Sequence, residues 1–324
     1  MQPATEESDC HTPKKQILHS IKIPASPYMK RIGFGTGIAV YELERSPAFN
    51  KFRSPWALKK LLKRTRKDTA KNTELQKRLN YEAEILRKLD HPNIVGFRAF
   101  VEKKDGNILA MEECSFCLGD LIEKRQEDEK GPFDAKILKK VCLDVAKAIS
   151  YLHNTALLMH CDLKSYNVLI KNDFEKCKLC DFGVCLPITA DGNLDLNKAP
   201  RAKFCGTKCW YAPEVLRDPQ IITTKADIYS FGLMIWEMIA LCPPIFEDMI
   251  EDIKKTSEMD EEKLDELLAK EGFRKRPPIP ADVDLGEEYK HILEIYYRCT
   301  CEDMKDRPLA SDLEVILNDI FYKK

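Results

Sequence analysis

The run His160-Cys161-Asp162-Leu163-Lys164-Ser165-Tyr166-Asn167, with Asp181-Phe182-Gly183 beginning fourteen residues after its asparagine, limits this 324-residue chain more than any other feature. Polar loop residues placed only for solubility need no fixed spacing. A set that acts on a phosphate does. Asp162 can accept the proton of an attacking hydroxyl, Lys164 can neutralise a phosphate in motion, and Asn167 with Asp181 supplies oxygen ligands for magnesium. The spacing His-x-Asp-Leu-Lys-x-x-Asn followed by Asp-Phe-Gly does not arise readily by chance.

Three weaker signals lie upstream in a consistent order. In IGFGTGIAVY, Gly33, Gly35 and Gly37 allow two strands to join by a turn whose backbone amides approach phosphate oxygens unobstructed. An ordinary hairpin could carry the same glycines. Lys59, in WALKK, follows an alternating strand, and Glu82 lies on the helical stretch YEAEILRKL. A lysine that holds phosphates needs a carboxylate to fix its long side chain, and a glutamate on a facing helix provides one. Either residue alone is an ordinary surface charge; after a glycine turn, in this order, the two become informative.

The surrounding pattern predicts two unlike halves. Residues 1–27 are polar and punctuated by proline, and are expected to form a flexible regulatory arm. From about 28 to 113, short apolar runs and one helical stretch, ELQKRLNYEAEILRKL, predict a small β-rich lobe with one main helix. From about 114 to 324, long helical runs such as AKILKKVCLDVAKAISYLHN and KADIYSFGLMIWEMIALC predict a larger, mainly helical lobe. An acidic stretch at about 247–271 is expected to be a solvated helical insertion, with a docking surface for basic partners as the sharper alternative. The formal charge of −1 offers no global field for nucleic acid or an anionic membrane. No apolar run reaches the roughly 20 residues of a membrane helix; FGLMIWEMIALCPPIF is interrupted by Glu237 and two prolines. The 13 cysteines, without a signal segment, are expected to be free thiols in a reducing compartment. Cys177 and Cys180 lie in an alternating run that points them to opposite faces, which argues against a zinc site shared with Cys114 and Cys117.

From about Ile32 to Ile320 the sequence resembles the protein kinase superfamily, in a branch related to the MAP kinase kinases. Further matches are YAPE at Tyr211 to Glu214, DIYSFG at Asp227 to Gly232, and DRP at Asp306 to Pro308. The branch is carried by IPASPYMKRIGFGTG at Ile23 to Gly37, RSPAF with SPWALKK, HPNIVGFRAF from His91 and KADIYSFGL from Lys225. The resemblance implies an α+β, bilobal kinase fold and transfer of the γ-phosphoryl group of ATP, with magnesium, to Ser or Thr and also Tyr of protein substrates. Asp162, Lys164, Lys59, Glu82 and Thr207 would be catalytic, and Asn167 and Asp181 would hold the metal. Ile32, Gly33, Phe34, Gly35, Thr36 and Gly37 would cover the phosphates. Val40 and Ala57 above and Leu169 below would enclose adenine, with Met111 as gatekeeper and the backbones of Glu112 and Cys114 at its edge. Leu86, His160 and Phe182 would stack as an apolar spine, Asp227 would brace the catalytic loop, and Arg307 would pair with Glu214. MAP kinases or mitotic proteins would be the substrates, in cytoplasm and nucleus.

The sequence departs from that family in places. Ile38 stands where a third glycine is usual, which stiffens the flap. Cys161 stands where an arginine usually receives an activation-segment phosphate, and between Val184 and Gly206 the only hydroxyl side chain is Thr189. Control is therefore expected elsewhere, for instance at Thr12, whose Thr12-Pro13-Lys14-Lys15 fits the pattern read by cyclin-dependent kinases. The sequence ends FYKK, without the terminal apolar residue and preceding Ser or Thr that a PDZ domain takes, so no PDZ partner is expected. Cys180 would border the nucleotide, either as a reactive thiol or as a small buried hydrophobe. The rival reading is a pseudokinase scaffold; it would follow from loss of Lys59, Asp162, Asn167 or Asp181, all of which are present.

Overall fold

The computed structural model describes residues 29–35, 38–48, 51–62, 69–103, 106–244, 276–281 and 283–322. The expected arm with Thr12, the turn residues Thr36 and Gly37, and the acidic stretch 247–271 fall outside these residues.

Five antiparallel strands form the first part: β1 (Met29–Gly35), β2 (Ile38–Ala48), β3 (Lys51–Leu61), β4 (Phe97–Val101) and β5 (Ile108–Glu112), in the spatial order β1-β2-β3-β5-β4. Between β3 and β4 runs α1 (Thr69–Lys88). Its apolar residues recur at three and four spacing, so Leu79, Ala83 and Leu86 meet one core while Glu74 and Arg78 face outward.

The second part is mainly helical: α2 (Leu118–Glu127), α3 (Ala135–Tyr151), α4 (Pro213–Arg217), α5 (Lys225–Ala240), α6 (Lys290–Cys299) and α7 (Ala310–Tyr322). Short strands β6 (Phe116–Cys117), β8 (Val168–Lys171) and β9 (Lys176–Leu179) form a sheet in the order β6-β8-β9, and β7 (Leu158–Met159) pairs with β10 (Leu186–Pro187). This is the α+β, bilobal organisation implied by the sequence.

Helix α3 is amphipathic, burying Leu138, Val141, Cys142, Val145 and Ile149. Truncating one such side chain, as in Leu138→Ala, costs about 2–5 kcal/mol. After Tyr151 the helix widens into a turn at Leu152–Ala156, closed by the Leu157 amide donating to the Leu152 carbonyl five residues back. Helix α5 is apolar nearly all round and is buried from Ala226 to Ile239, so it stands inside the helical part rather than on its surface. Asp227, Ser230 and Glu237 are buried with it, and each has hydrogen-bond partners, as burial of polar groups requires.

Candidate active site

Strand register gathers one group of expected residues. Val40 on β2 lies opposite Lys59 on β3; Lys59 lies opposite Leu109 and Ala57 opposite Met111 on β5. Directly opposed residues, and residues two apart on a strand, share a face. Val40, Ala57, Lys59 and Met111 therefore line one side of the sheet, and Gly33 of β1 lies opposite Val40 in the register. Ile32, Phe34 and Gly35 belong to the same strand β1.

Lys59 is 7% exposed and its Nζ lies 2.8 Å from Glu82 Oε2 and 2.9 Å from Asp181 Oδ1. Burial alone would lower the Lys59 ammonium, but the carboxylates of Asp181 and Glu82 more than reverse this and keep it charged. Burial would likewise raise Asp181, and Lys59 holds it below the usual carboxylate range. Glu82 Oε1 is buried without a hydrogen-bond partner, and burial pushes this carboxyl up to about 7 against the pull of Lys59.

The loop between β7 and β8 carries the second group. Asp162 Oδ1 accepts from the Thr207 amide at 2.9 Å and from its hydroxyl at 2.7 Å. Asp162 Oδ2 lies 2.9 Å from Lys164 Nζ and accepts from Asn167 Nδ2 at 2.9 Å. Lys164 Nζ also donates to the Thr207 hydroxyl at 2.5 Å. With Asn167 Nδ2 committed to Asp162, Asn167 Oδ1 is left to accept a cation. Asp181, whose side chain is 43% exposed, meets the ammonium of Lys59 through Oδ1. An amide oxygen and an ionised carboxylate are a donor set that magnesium takes, so the residues present fit that ion.

The loop is held from below by α5. Asp227 accepts from the His160 amide at 2.8 Å, the Cys161 amide at 2.9 Å and His153 Nε2 at 2.9 Å. His160 Nε2 donates to the Cys180 carbonyl at 3.0 Å, which leaves Nδ1 to accept from the Asp162 amide at 3.3 Å and fixes a neutral ring. The His160 and Phe182 rings meet edge to face with centroids 5.3 Å apart, and both are fully buried with Leu86. Cys161 and Asp181 adopt left-handed backbone, φ 68° and 64°. Such conformations cost roughly 1–3 kcal/mol each and concentrate at functional sites. Gly206 is required by packing: a Cβ there would stand 2.1 Å from the Cys161 carbonyl oxygen.

Further residues tie in structures that motif reading did not reach. Glu237 accepts from the Ser165 hydroxyl at 2.6 Å, the Ser165 amide at 3.2 Å and Trp210 Nε1 at 2.8 Å, so α5 also holds the segment before α4. Burial pushes Glu237 up to about 7. Its sequence signal was a carboxylate inside an otherwise apolar run, which must find partners. The pair of Arg307 with Glu214, which the resemblance did imply, is made through two parallel bonds of 2.6 and 2.7 Å. At the segment joining the two parts, Glu112 lies 3.0 Å from Lys178, 2.7 Å from Lys171 and 3.8 Å from Arg98. The sequence resemblance gave Glu112 only a backbone role. Cys114 and Leu169 are half-buried; Cys114 precedes β6, and Leu169 on β8 lies opposite Cys117 on β6. Cys180 is half-buried, and burial drives its thiol well above its ordinary range. Tyr81, next to Glu82, donates its hydroxyl to the Cys185 carbonyl at 3.0 Å. No helix among the described residues is long and apolar enough to cross a membrane.

The protein kinase domain family matches residues 28–316. The human lymphokine-activated killer T-cell-originated protein kinase is 43% identical over 95% of this chain and 95% of its own length. The dual specificity protein kinase shkE of Dictyostelium discoideum is 30% identical over 79% of this chain, which spans 32% of that protein. The serine/threonine/tyrosine-protein kinase HT1 of Arabidopsis thaliana is 29% identical over 75% of this chain and 55% of its own length.

Proposed function

The chain belongs to the protein kinase family, and from that premise we propose how its residues divide the work of phosphoryl transfer. As a protein kinase it uses ATP with magnesium and acts on serine and threonine hydroxyls of proteins. Lys59, kept charged and aimed by Glu82, holds the phosphates of ATP. Asp162 orients the substrate hydroxyl and takes its proton, and Lys164 neutralises the charge that moves between donor and acceptor oxygens. Asn167 and Asp181 would hold magnesium, which when bound supplies positive charge against the phosphate oxygens. Adenine would lie against Val40, Ala57 and Leu169, beside Met111 and the backbones of Glu112 and Cys114, and Ile32 to Gly37 would cover the phosphates.

The observation that carries this reading is Asp162, whose two oxygens are oriented by Thr207, Lys164 and Asn167 together. A scaffold would have no use for such orientation. Thr207 beside Asp162 supports a hydroxyl acceptor from serine or threonine, and the names of the shkE and HT1 relatives extend the reading to tyrosine.

The finer assignment rests on the resemblance to the MAP kinase kinase-like branch, with MAP kinases or mitotic proteins as substrates and residence in cytoplasm and nucleus; control by a cyclin-dependent kinase at Thr12 rests on the Thr12-Pro13-Lys14-Lys15 pattern. One domain from 28 to 324, hinged near 113, carries the activity. The test is purified protein with magnesium and radiolabelled ATP, beside Asp162→Asn, on myelin basic protein and a MAP kinase panel, with phosphoamino acid analysis of the products. Label present in wild type and lost in the variant is expected. Equal silence of both, also after treatment with an active cyclin-dependent kinase, would favour the scaffold.

A further inference from the structure

Tyr81 and Glu82 are adjacent on α1, so their side chains leave the helix about 100° apart. Glu82 turns to Lys59 in the cleft, and Tyr81 turns to the chain just past Asp181-Phe182-Gly183. There its hydroxyl donates to the Cys185 carbonyl at 3.0 Å, and burial pushes that hydroxyl up to about 12, so it remains a donor at working pH. Cys185 is 1% exposed and its thiol donates to the His160 carbonyl at 3.6 Å. The next residue, Leu186, pairs with Met159 immediately before the catalytic loop. Cys185 is therefore a three-way junction of α1, the activation segment and the catalytic loop.

A phosphate on the activation segment would make such a junction by bridging cations. Here Cys161 offers no cation, and Thr189, the only hydroxyl between Val184 and Gly206, is spent inside its own turn on the Asn193 carbonyl at 3.1 Å and on Asp191. The segment is instead ordered by its backbone. The Thr189 amide donates to Asn193 at 2.9 Å, Leu194 to Ile222 at 3.2 Å, and Thr224 to Gly192 at 2.9 Å.

We propose that Tyr81 is a positioning residue that locks α1, and with it Glu82, to the start of the activation segment, in place of an activation-segment phosphate. The consequence is that the Lys59–Glu82 contact forms without modification of the segment. The inference rests on the kinase reading of the site, and it is tested so that the two can fail separately.

The full chain and Tyr81→Phe are compared for kcat and ATP KM on myelin basic protein, and by hydrogen–deuterium exchange. Loss of the one hydrogen bond is expected to lower kcat about ten-fold with ATP KM within about two-fold. Exchange is expected to rise over residues 69–88 and 182–187 and to stay unchanged over α3. Thr189→Ala is expected to keep the wild-type kcat. A Tyr81→Phe kcat within about two-fold of wild type, exchange that rises equally in α3, or a Thr189→Ala variant that loses activity each overturns the proposal. Wild type that transfers no phosphate defeats the kinase reading; the exchange comparison then decides on Tyr81 by itself.

Discussion

Helices α5 and α1 both reach the cleft, and they are built on opposite plans. Helix α5 is buried over its whole length, and its carboxylates Asp227 and Glu237 each accept several bonds, with the catalytic loop and the segment before α4 hanging from them. Helix α1 buries one face only and reaches the cleft through Glu82, which has an orphaned oxygen, and through Tyr81. The first plan fixes a loop by many contacts at once. The second joins a helix to the cleft through two side chains, so that small free energies at these contacts decide how Glu82 meets Lys59. The catalytic loop hangs from the first helix, and a partner of Lys59 rides on the second.

The comparison can be broken most severely at Asp227. Asp227→Ala would strand two buried amides and His153, and a loss of about 3–5 kcal/mol in unfolding free energy is expected by urea denaturation. If the variant is as stable as wild type, α5 is not the support of the catalytic loop. Glu82→Gln should do the reverse. Unfolding should move by no more than about 1 kcal/mol, because Asp181 still meets Lys59, while kcat falls on the order of 100-fold, because Lys59 loses the charge that aims it. A large change in stability would erase the distinction between the two helices.

A third experiment uses pH. The Glu237 carboxyl is raised in the fold, to about 7, above its unfolded value. Between about pH 5 and 7 the folded chain thus binds more protons at this site than the unfolded chain, and this contribution to stability falls as pH rises. Replacement by Gln should flatten that slope in urea denaturation measured across the interval; an unchanged slope would place its origin elsewhere. The smallest effect is expected at the segment joining the two parts. Lys171→Ala removes a partly exposed partner of Glu112 while Lys178 remains, and should cost no more than about 1 kcal/mol, measured as the shift of the urea midpoint.

How far the sequence shows all this depends on what each contact uses. Asp162, Lys164, Asn167 and Asp181 could be read because transfer chemistry demands particular functional groups at particular distances along the chain. The amphipathic period of α1 and α3 and the apolar run of α5 were equally plain. The Tyr81 contact was hidden because its acceptor is a backbone carbonyl 104 residues away, and a carbonyl carries no residue identity. The Glu112 cluster was hidden because Arg98, Lys171 and Lys178 are ordinary charges until β4, β8 and β9 bring them together. Ser165 and Trp210 gave no signal; Glu237 gave one only as an interruption.

The wide turn at Leu152–Ala156 bears on how this chain can change in length. A turn closed over five residues holds one residue more than a regular α-helical turn would. Removing one residue there would give a regular turn and leave α3 and β7 on nearly their present headings, since the widening is what absorbs the extra residue. The residue that cannot be the one removed is His153, which is buried and reaches Asp227 at 2.9 Å. The turn can lose length but not that side chain: at this point the protein is constrained by one residue's kind rather than by a count of residues.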